Sequence, residues 1–229
     1  MSDEHPPGEL AALPPGELAA LPPGELTALP PGAMTAPAAA RNREPILAVL
    51  REWLPGRARV LEVASGTGEH AVWFAAGLPG VIWQPTENTA ERLASIAAWR
   101  GEAGGANLLA PVALDAGAAE EWPVVAADAV VAINMIHIAP WGVTLGLMTG
   151  AARVLRPGGV LLLYGPFREA GVDLAESNAA FDADLRERDA SWGLRGLGEV
   201  TAVAAAVGLR MEARRLMPAH NLAVLFRRD

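Results

Sequence analysis

The stretch that most limits what this chain can fold into is Arg59-Val60-Leu61-Glu62-Val63-Ala64-Ser65-Gly66-Thr67-Gly68-Glu69-His70. A short Val/Leu run that ends at glycine reads as a buried parallel strand feeding a tight turn, and the residues after it take up helical spacing. Gly66 and Gly68 allow positive φ and a close backbone approach to a ligand, and the following helix would point its free N–H groups there. Gly66, Gly68 and Ala71 also satisfy the loose dinucleotide fingerprint, so the turn alone does not name its ligand. Two acids flank it. Glu62 precedes the first glycine, where a carboxylate can reach a positive group or brace the loop. Glu87 follows the strand-like run Val81-Ile82-Trp83-Gln84, where it could accept hydrogen bonds from both hydroxyls of a ribose.

The rest of the chain repeats the alternation. Ile46, Leu47, Val49, Leu50, Trp53 and Leu54 follow helical spacing, with Pro45 expected in the first turn and Pro55-Gly56 as the stop. Ala71, Phe74, Ala75 and Leu78 give the helix after the glycine turn an inner stripe. Asn88 or Thr89 can cap a helix carrying Leu93, Ile96, Ala97 and Trp99. Val112 to Asp115, Ala129 to Asn134 and Val160 to Tyr164 read as three further strands, apolar throughout as strands covered on both faces must be. A helix from about Gly142 to Leu155 meets a stop at Arg156-Pro157-Gly158-Gly159, and one around Leu197 to Val207 leads into two strand-like runs, Leu209 to Met217 and Asn221 to Arg227. These spacings predict an α/β, Rossmann-like doubly wound sheet of seven mostly parallel strands that closes in an antiparallel hairpin, with its ligand crevice at the strand carboxyl ends.

Ahead of this domain, residues 6–29 are three near-identical Pro-Pro-Gly-Glu-Leu octads, followed by a degenerate copy at Pro30 to Pro37. Prolines interrupt any helix every eighth residue and leave little to bury, which predicts a disordered Pro/Gly-rich tail over 1–37 and a domain over 38–229. A proline-rich docking segment is the alternative for the tail, and Met34 is a candidate second or original start.

Composition removes several function classes. With 26 acidic against 18 basic residues and a net charge of −8, the chain lacks the excess of Lys and Arg that nucleic-acid surfaces need. It has no cysteine, so disulfides and thiolate metal sites are excluded, and its histidines and carboxylates show no ligand spacing; no metal is expected. Without a basic n-region or an uninterrupted apolar span, neither secretion nor membrane insertion is expected, which leaves the cytoplasm as the default. Oligomeric state is open.

Glu62 to Gly68 with the strand-end Glu87 resembles the cofactor site of class I S-adenosylmethionine-dependent methyltransferases, although Ala64 stands where that pattern often has glycine. Arg41 to Leu47, Ser65 to His70, Asn134 to Trp141, Tyr164 to Phe167 and Ser177 to Asp182 are similar to a methyltransferase-like domain-of-unknown-function family (DUF938-like) within that superfamily. His220 stands where asparagine is expected. The resemblance implies S-adenosylmethionine as cofactor, held by Glu62, Ala64, Ser65, Gly66, Gly68, Glu87, Asp115 and Asn134, and methyl transfer to a small-molecule acceptor. An NAD-dependent oxidoreductase and a noncatalytic nucleotide-binding regulatory module remain alternatives.

His137 and Tyr164 are the catalytic candidates. A histidine just past a strand end is a useful base near neutral pH, but one flanked by Ile136 and Ile138 is equally read as packing. Tyr164 would line the acceptor pocket together with Asn178, and His70 would be structural or touch the methionine moiety. Arg186, Arg188, Asp189 and Trp192 form either a solvated helix end or a lid for an anionic or planar acceptor.

Overall fold

In the computed structural model, residues 29–124 and 126–229 are described. Seven strands, β1 Ala58–Val63, β2 Val81–Glu87, β3 Val112–Ala113, β4 Ala127–Ile133, β5 Leu155–Gly165, β6 Leu209–Met217 and β7 Asn221–Arg228, form one sheet in the order β3-β2-β1-β4-β5-β7-β6. The neighbours from β3 to β5 pair in parallel, whereas β7 runs antiparallel between β5 and β6. This is the expected Rossmann-like sheet with a C-terminal antiparallel hairpin.

Side chains of the apolar strands alternate between two cores. Val60, Val131 and Leu162 face the layer containing Ile46, Leu50 and Phe74, which come from α1 (Pro37–Trp53) and α2 (Glu69–Gly77). Leu61, Val130 and Leu161 face the layer containing Leu147, Met148 and Val200, from α4 (Trp141–Val154) and α6 (Leu197–Ala206). The remaining helices are α3 (Ala90–Ala103), capped by Thr89, whose hydroxyl accepts from Arg92 N, and α5 (Glu176–Arg188). Strand order reverses between β1 and β4, so their carboxyl ends diverge and open a crevice there.

Three features differ from the expectation. α1 starts at Pro37 rather than beside Pro45, because Pro37 suits the first helical position and Ala38-Ala39-Ala40 propagate well; Pro45 then lies inside the helix. α4 does end before Arg156–Gly159, at Val154, but that stretch is not a connection ahead of the strand: it is an irregularity within β5, exposed over Arg156 to Gly158, between Leu155 paired with Ala127 and Val160 paired with Ala129. The domain's contacts also begin before residue 38. Met34 N donates to Ser95 Oγ (2.8 Å), Met34 O accepts from Trp99 Nε1 (2.8 Å), and Ala36 N donates to Glu69 Oε2 (2.5 Å). The octad tail over residues 6–28 lies outside the described residues.

Candidate functional site

Past β1 the chain turns through Ala64, Gly66 and Gly68 with φ of 58°, 62° and 98°. Left-handed backbone costs a residue with a β-carbon roughly 1–2 kcal/mol, so Ala64 holds a strained conformation that glycine would hold freely. At Gly66 an added β-carbon would meet nothing within 4 Å, so φ alone calls for glycine and the space above the loop is open. At Gly68 it would lie 2.9 Å from Ile96 Cα and 3.3 Å from Trp99 Cδ1, so close packing against α3 also requires glycine there.

Glu87 ties this loop to β2. Its Oε1 accepts from Gly66 N (3.1 Å) and Arg92 Nη1 (3.1 Å), and Oε2 accepts from Asn88 N (2.8 Å). Three of roughly four lone-pair positions of the carboxylate are thereby taken. The Arg92 side chain, about half exposed, is the partner free to move away. Ser65 serves the loop itself: its N–H donates to Thr86 O (2.8 Å) and its hydroxyl accepts from Thr86 N (3.1 Å).

Glu62 is 1% exposed and accepts from Trp83 Nε1 at 2.9 Å. Burial pushes its carboxyl up to about 7 against the pull of the Trp83 bond, and no described cation lies within salt-bridge distance.

Three cavities follow one another along the crevice. One of about 210 Å³ is lined by Glu87, Asp115, Met135, Ile138 and Trp192. A second, about 240 Å³, shares Ala64, Arg92, Met135 and Ile138 with it and adds Glu62, Gly66, His70 and Asn42. The third, about 420 Å³, is joined to the second through Ala38, Asn42 and Asn134 and contains Tyr164, Asn178 and Phe181. The structure thus brings Glu62, Ala64, Ser65, Gly66, Glu87, Asp115 and Asn134 to the first two cavities, with Gly68 behind them, and Tyr164 to the third. Asp115 already receives Gly117 N on Oδ1 (2.8 Å). Asn134 stands at the junction with φ 58°, a left-handed conformation asparagine tolerates.

A polar chain crosses the same junction. His70 Nε2 is 2.7 Å from Asn42 Oδ1, which can only accept, so Nε2 carries the proton. Burial, then the charge of Arg43, pushes His70 down to about 4, leaving the ring neutral. Tyr164 stands at the same junction, its phenol raised above its ordinary range by burial, and stays protonated.

His137 lines none of these cavities. It is fully buried, its Nδ1 accepts from Arg195 N (3.3 Å), and its ring meets Phe167 edge-on at 5.0 Å. Burial, then the Arg195 charge, lowers it to about 3. Its Nε2 has no hydrogen-bond partner and packs where a β-carbon on Gly165 would come within 2.5 Å. The acceptor-facing base anticipated at this position is therefore not where the fold puts the ring. Nor is the Arg186/Arg188/Asp189 patch at the third cavity: Arg186 pairs with Asp182, Arg188 with Asp184, and Trp192 turns to the Asp115 side.

Arg92, Asn42, Met135 and Ile138 join the site without having been given a role in it. They sit on helices or just past a strand, where nothing local marks them; only the sheet order brings them together.

Sheet order, hairpin and glycine turn define the fold of the class I methyltransferases. Similar solved structures include an O-methyltransferase family protein from Burkholderia thailandensis (TM-score 0.71, 19% identity, 84% of this chain and 57% of that one) and human N-acetylserotonin methyltransferase in complex with S-adenosylmethionine (0.69, 13%, 83% and 52%). A third is an O-methyltransferase family 2 protein from Planctomyces limnophilus in complex with apigenin (0.70, 18%, 84% and 60%). The chain spans 52% to 60% of the length of these three. The family model "Protein of unknown function (DUF938)" matches residues 33–228, and the chain belongs to that family.

Proposed function

We propose that this protein transfers a methyl group from S-adenosylmethionine to a small-molecule acceptor. The observation that carries the reading is Glu62: a buried carboxyl with no cationic partner among the described residues, facing a cavity that is floored by a glycine turn and opens into a second chamber. A cationic ligand in that cavity would supply the missing charge and draw the carboxyl to its ionised form. When bound, S-adenosylmethionine supplies an electrophilic methyl group that passes to a nucleophile on the acceptor.

This chain's residues would then hold and orient. Glu62 faces the cationic methionine end, with Gly66 and Ala64 beneath it. Glu87 takes the ribose hydroxyls once Arg92 moves aside. Asp115, with Met135, Ile138 and Trp192, forms the wall for the adenine. Asn134 divides cofactor from acceptor, and Tyr164 offers its protonated hydroxyl to the acceptor, so most of the rate would come from alignment. His137 is assigned a packing role in the core beneath the loop after β4. A cytoplasmic location belongs to the same proposal, supported by the cysteine-free composition; among the described residues no helix is long and apolar enough to cross a membrane.

Calorimetry with S-adenosylmethionine, S-adenosylhomocysteine and NAD, followed by a methyl-transfer screen across metabolite acceptors, tests the proposal. Preferential NAD binding would overturn it, and cofactor binding without turnover on any acceptor would favour a regulatory module. Glu87→Ala should weaken cofactor binding by about 1.5–3 kcal/mol for a charged hydrogen bond lost.

A further inference from the structure

The third cavity differs in charge from the chain that builds it. Acids outnumber Lys and Arg by 26 to 18 in the sequence, yet among the described residues no Asp or Glu lines this space, and the one charged residue lining it is the cation Arg41. Among the described residues no carboxylate lies within salt-bridge distance of the Arg41 guanidinium, and its side chain is exposed rather than packed away. An arginine left unpaired beside a concave, carboxylate-free surface retains its full set of donors for a ligand.

The neutral groups extend the pattern. Asn42 spends its Oδ1 on His70, which leaves its N–H groups as donors, and the buried Tyr164 keeps its hydroxyl proton. Ser177 adds a hydroxyl, and Phe181 adds an apolar ring to the lining. A cationic acceptor would meet Arg41 with no acid to offset it. A neutral one would leave the guanidinium unmatched. A planar monoanion fits the guanidinium fork with two parallel hydrogen bonds and one unit of charge, whereas a phosphate monoester, with nearly two charges, would be only half compensated by a single arginine.

We infer that the acceptor is a small organic carboxylate, with its carboxylate on Arg41 and its apolar body against Phe181, so that its far end reaches Asn134 and Tyr164 at the opening to the cofactor cavity. The inference rests on the methyl-transfer reading for which end of the molecule reacts, but the anion site itself is a property of the third cavity alone. A volume of about 420 Å³ is within the range of small-molecule sites.

Three probes of one shape and different charge test it: benzoate, benzamide and benzylammonium, titrated against the full chain with and without saturating S-adenosylhomocysteine. Benzoate is expected to bind about tenfold or more tighter than the other two, as a charge-assisted bidentate pair exceeds neutral hydrogen bonds. Arg41→Gln should bring benzoate down to the level of benzamide without moving the melting temperature or S-adenosylhomocysteine affinity, and Arg41→Lys should recover part of the preference because it restores charge without the fork. Equal or tighter binding of benzamide or benzylammonium overturns the inference, as does absence of benzoate binding or a benzoate preference that survives Arg41→Gln. If S-adenosylhomocysteine fails to bind while benzoate keeps its Arg41-dependent preference, the methyl-transfer reading falls and the carboxylate site stands. If the homocysteine compound binds and the preference is missing, the carboxylate assignment alone is lost.

Discussion

The two ends of the crevice are built in opposite ways. On the proposed cofactor side, the run from Glu62 to His70 supplies the first acid, the turn and the helix start, Glu87 ends β2, and Asp115 lies two residues past β3. Backbone conformation does most of the shaping, through left-handed φ at Ala64, Gly66 and Gly68. The proposed acceptor side gathers Arg41 and Asn42 from α1, Tyr164 from β5, Ser177 and Asn178 from α5, and the turn before β7. Those groups meet only after α1, α5 and the hairpin have docked. One end is local chemistry and the other is tertiary assembly, and they should fail differently when perturbed.

The hairpin turn belongs to the assembled end. Ala219 and His220 both sit at positive φ, 56° and 55°, and Asn178 Nδ2 donates to His220 O at 3.0 Å. Asparagine visits that region more readily than histidine, which gives a physical reason for expecting asparagine at position 220.

The largest expected effect separates His137 from Tyr164. Removing a fully buried ring that packs on Phe167 leaves a cavity, so His137→Ala should lose about 2–4 kcal/mol of stability while turnover per folded molecule stays near wild type. Tyr164→Phe should do the reverse, keeping cofactor affinity and melting while lowering methyl transfer by about tenfold or more if its hydroxyl orients the acceptor. Denaturant melts and single-turnover rates on the same preparations decide the matter; a folded His137→Ala protein with lost turnover would restore the histidine to chemistry.

Glu62 gives the next largest effect, read through pH. Its carboxyl lies near 7 when folded against about 4.5 when unfolded, so between those values the native state holds a proton that the unfolded chain has lost, and stability falls as pH rises. The shift is worth about 3 kcal/mol at 1.36 kcal/mol per pKa unit, fully felt above pH 7. His70 and His137 act in the opposite sense, since folding lowers them from 6.5 to about 4 and about 3, so their contribution is gained as pH rises to 6.5. Removing the carboxyl should therefore expose the histidines: Glu62→Gln is expected to stabilise the ligand-free protein above pH 7 and to steepen the rise of stability between about pH 4.5 and 6.5. It should also weaken S-adenosylmethionine binding. A pH profile superimposable on wild type would contradict the burial account.

Truncation comes third. Cutting residues 1–28 tests the tail expectation and should leave melting and cofactor affinity close to wild type. Cutting 1–36 also removes the contacts of Met34 with Ser95 and Trp99 and of Ala36 with Glu69, three hydrogen bonds each worth a net of about 0.5–1.5 kcal/mol, and a loss of about 1.5–4.5 kcal/mol is expected. Matching melts for the two truncations would mean that these bonds add nothing.

What was legible in the sequence follows the same division. The strands, the mostly parallel sheet and the closing hairpin came through because apolar runs and Gly/Pro stops report locally on burial and turning; the order of the strands within the sheet did not. The position of Glu62, Gly66 and Glu87 at the crevice was legible because each lies within a few residues of a strand end. Arg92 and Asn42 carry no such mark, since a helical arginine or asparagine is usually a solvated surface residue. His137 misled for a related reason: its position past β4 is local information, but the inward turn of its ring depends on Gly165 and on Arg195, 58 positions away. Pro45 hid the first turns of α1, which carry Arg41 and Asn42.

The smallest predicted effect isolates the local end. Ala64 keeps a β-carbon at φ 58°, and a glycine there would relieve roughly 1–2 kcal/mol of backbone strain while giving the unfolded chain more freedom, about 0.4–1 kcal/mol in the other direction. Ala64→Gly should therefore raise stability by a few tenths of a kcal/mol to about 1 kcal/mol. Cofactor affinity should stay near wild type, because the loop shape already matches the glycine form and Gly66 N remains bonded to Glu87. Chemical denaturation and calorimetry on the variant measure the two terms separately. Destabilisation by more than about 1 kcal/mol would show that the Ala64 methyl group packs usefully against the Met135 side of the crevice, and the turn would then owe part of its shape to tertiary contacts, as the acceptor end does.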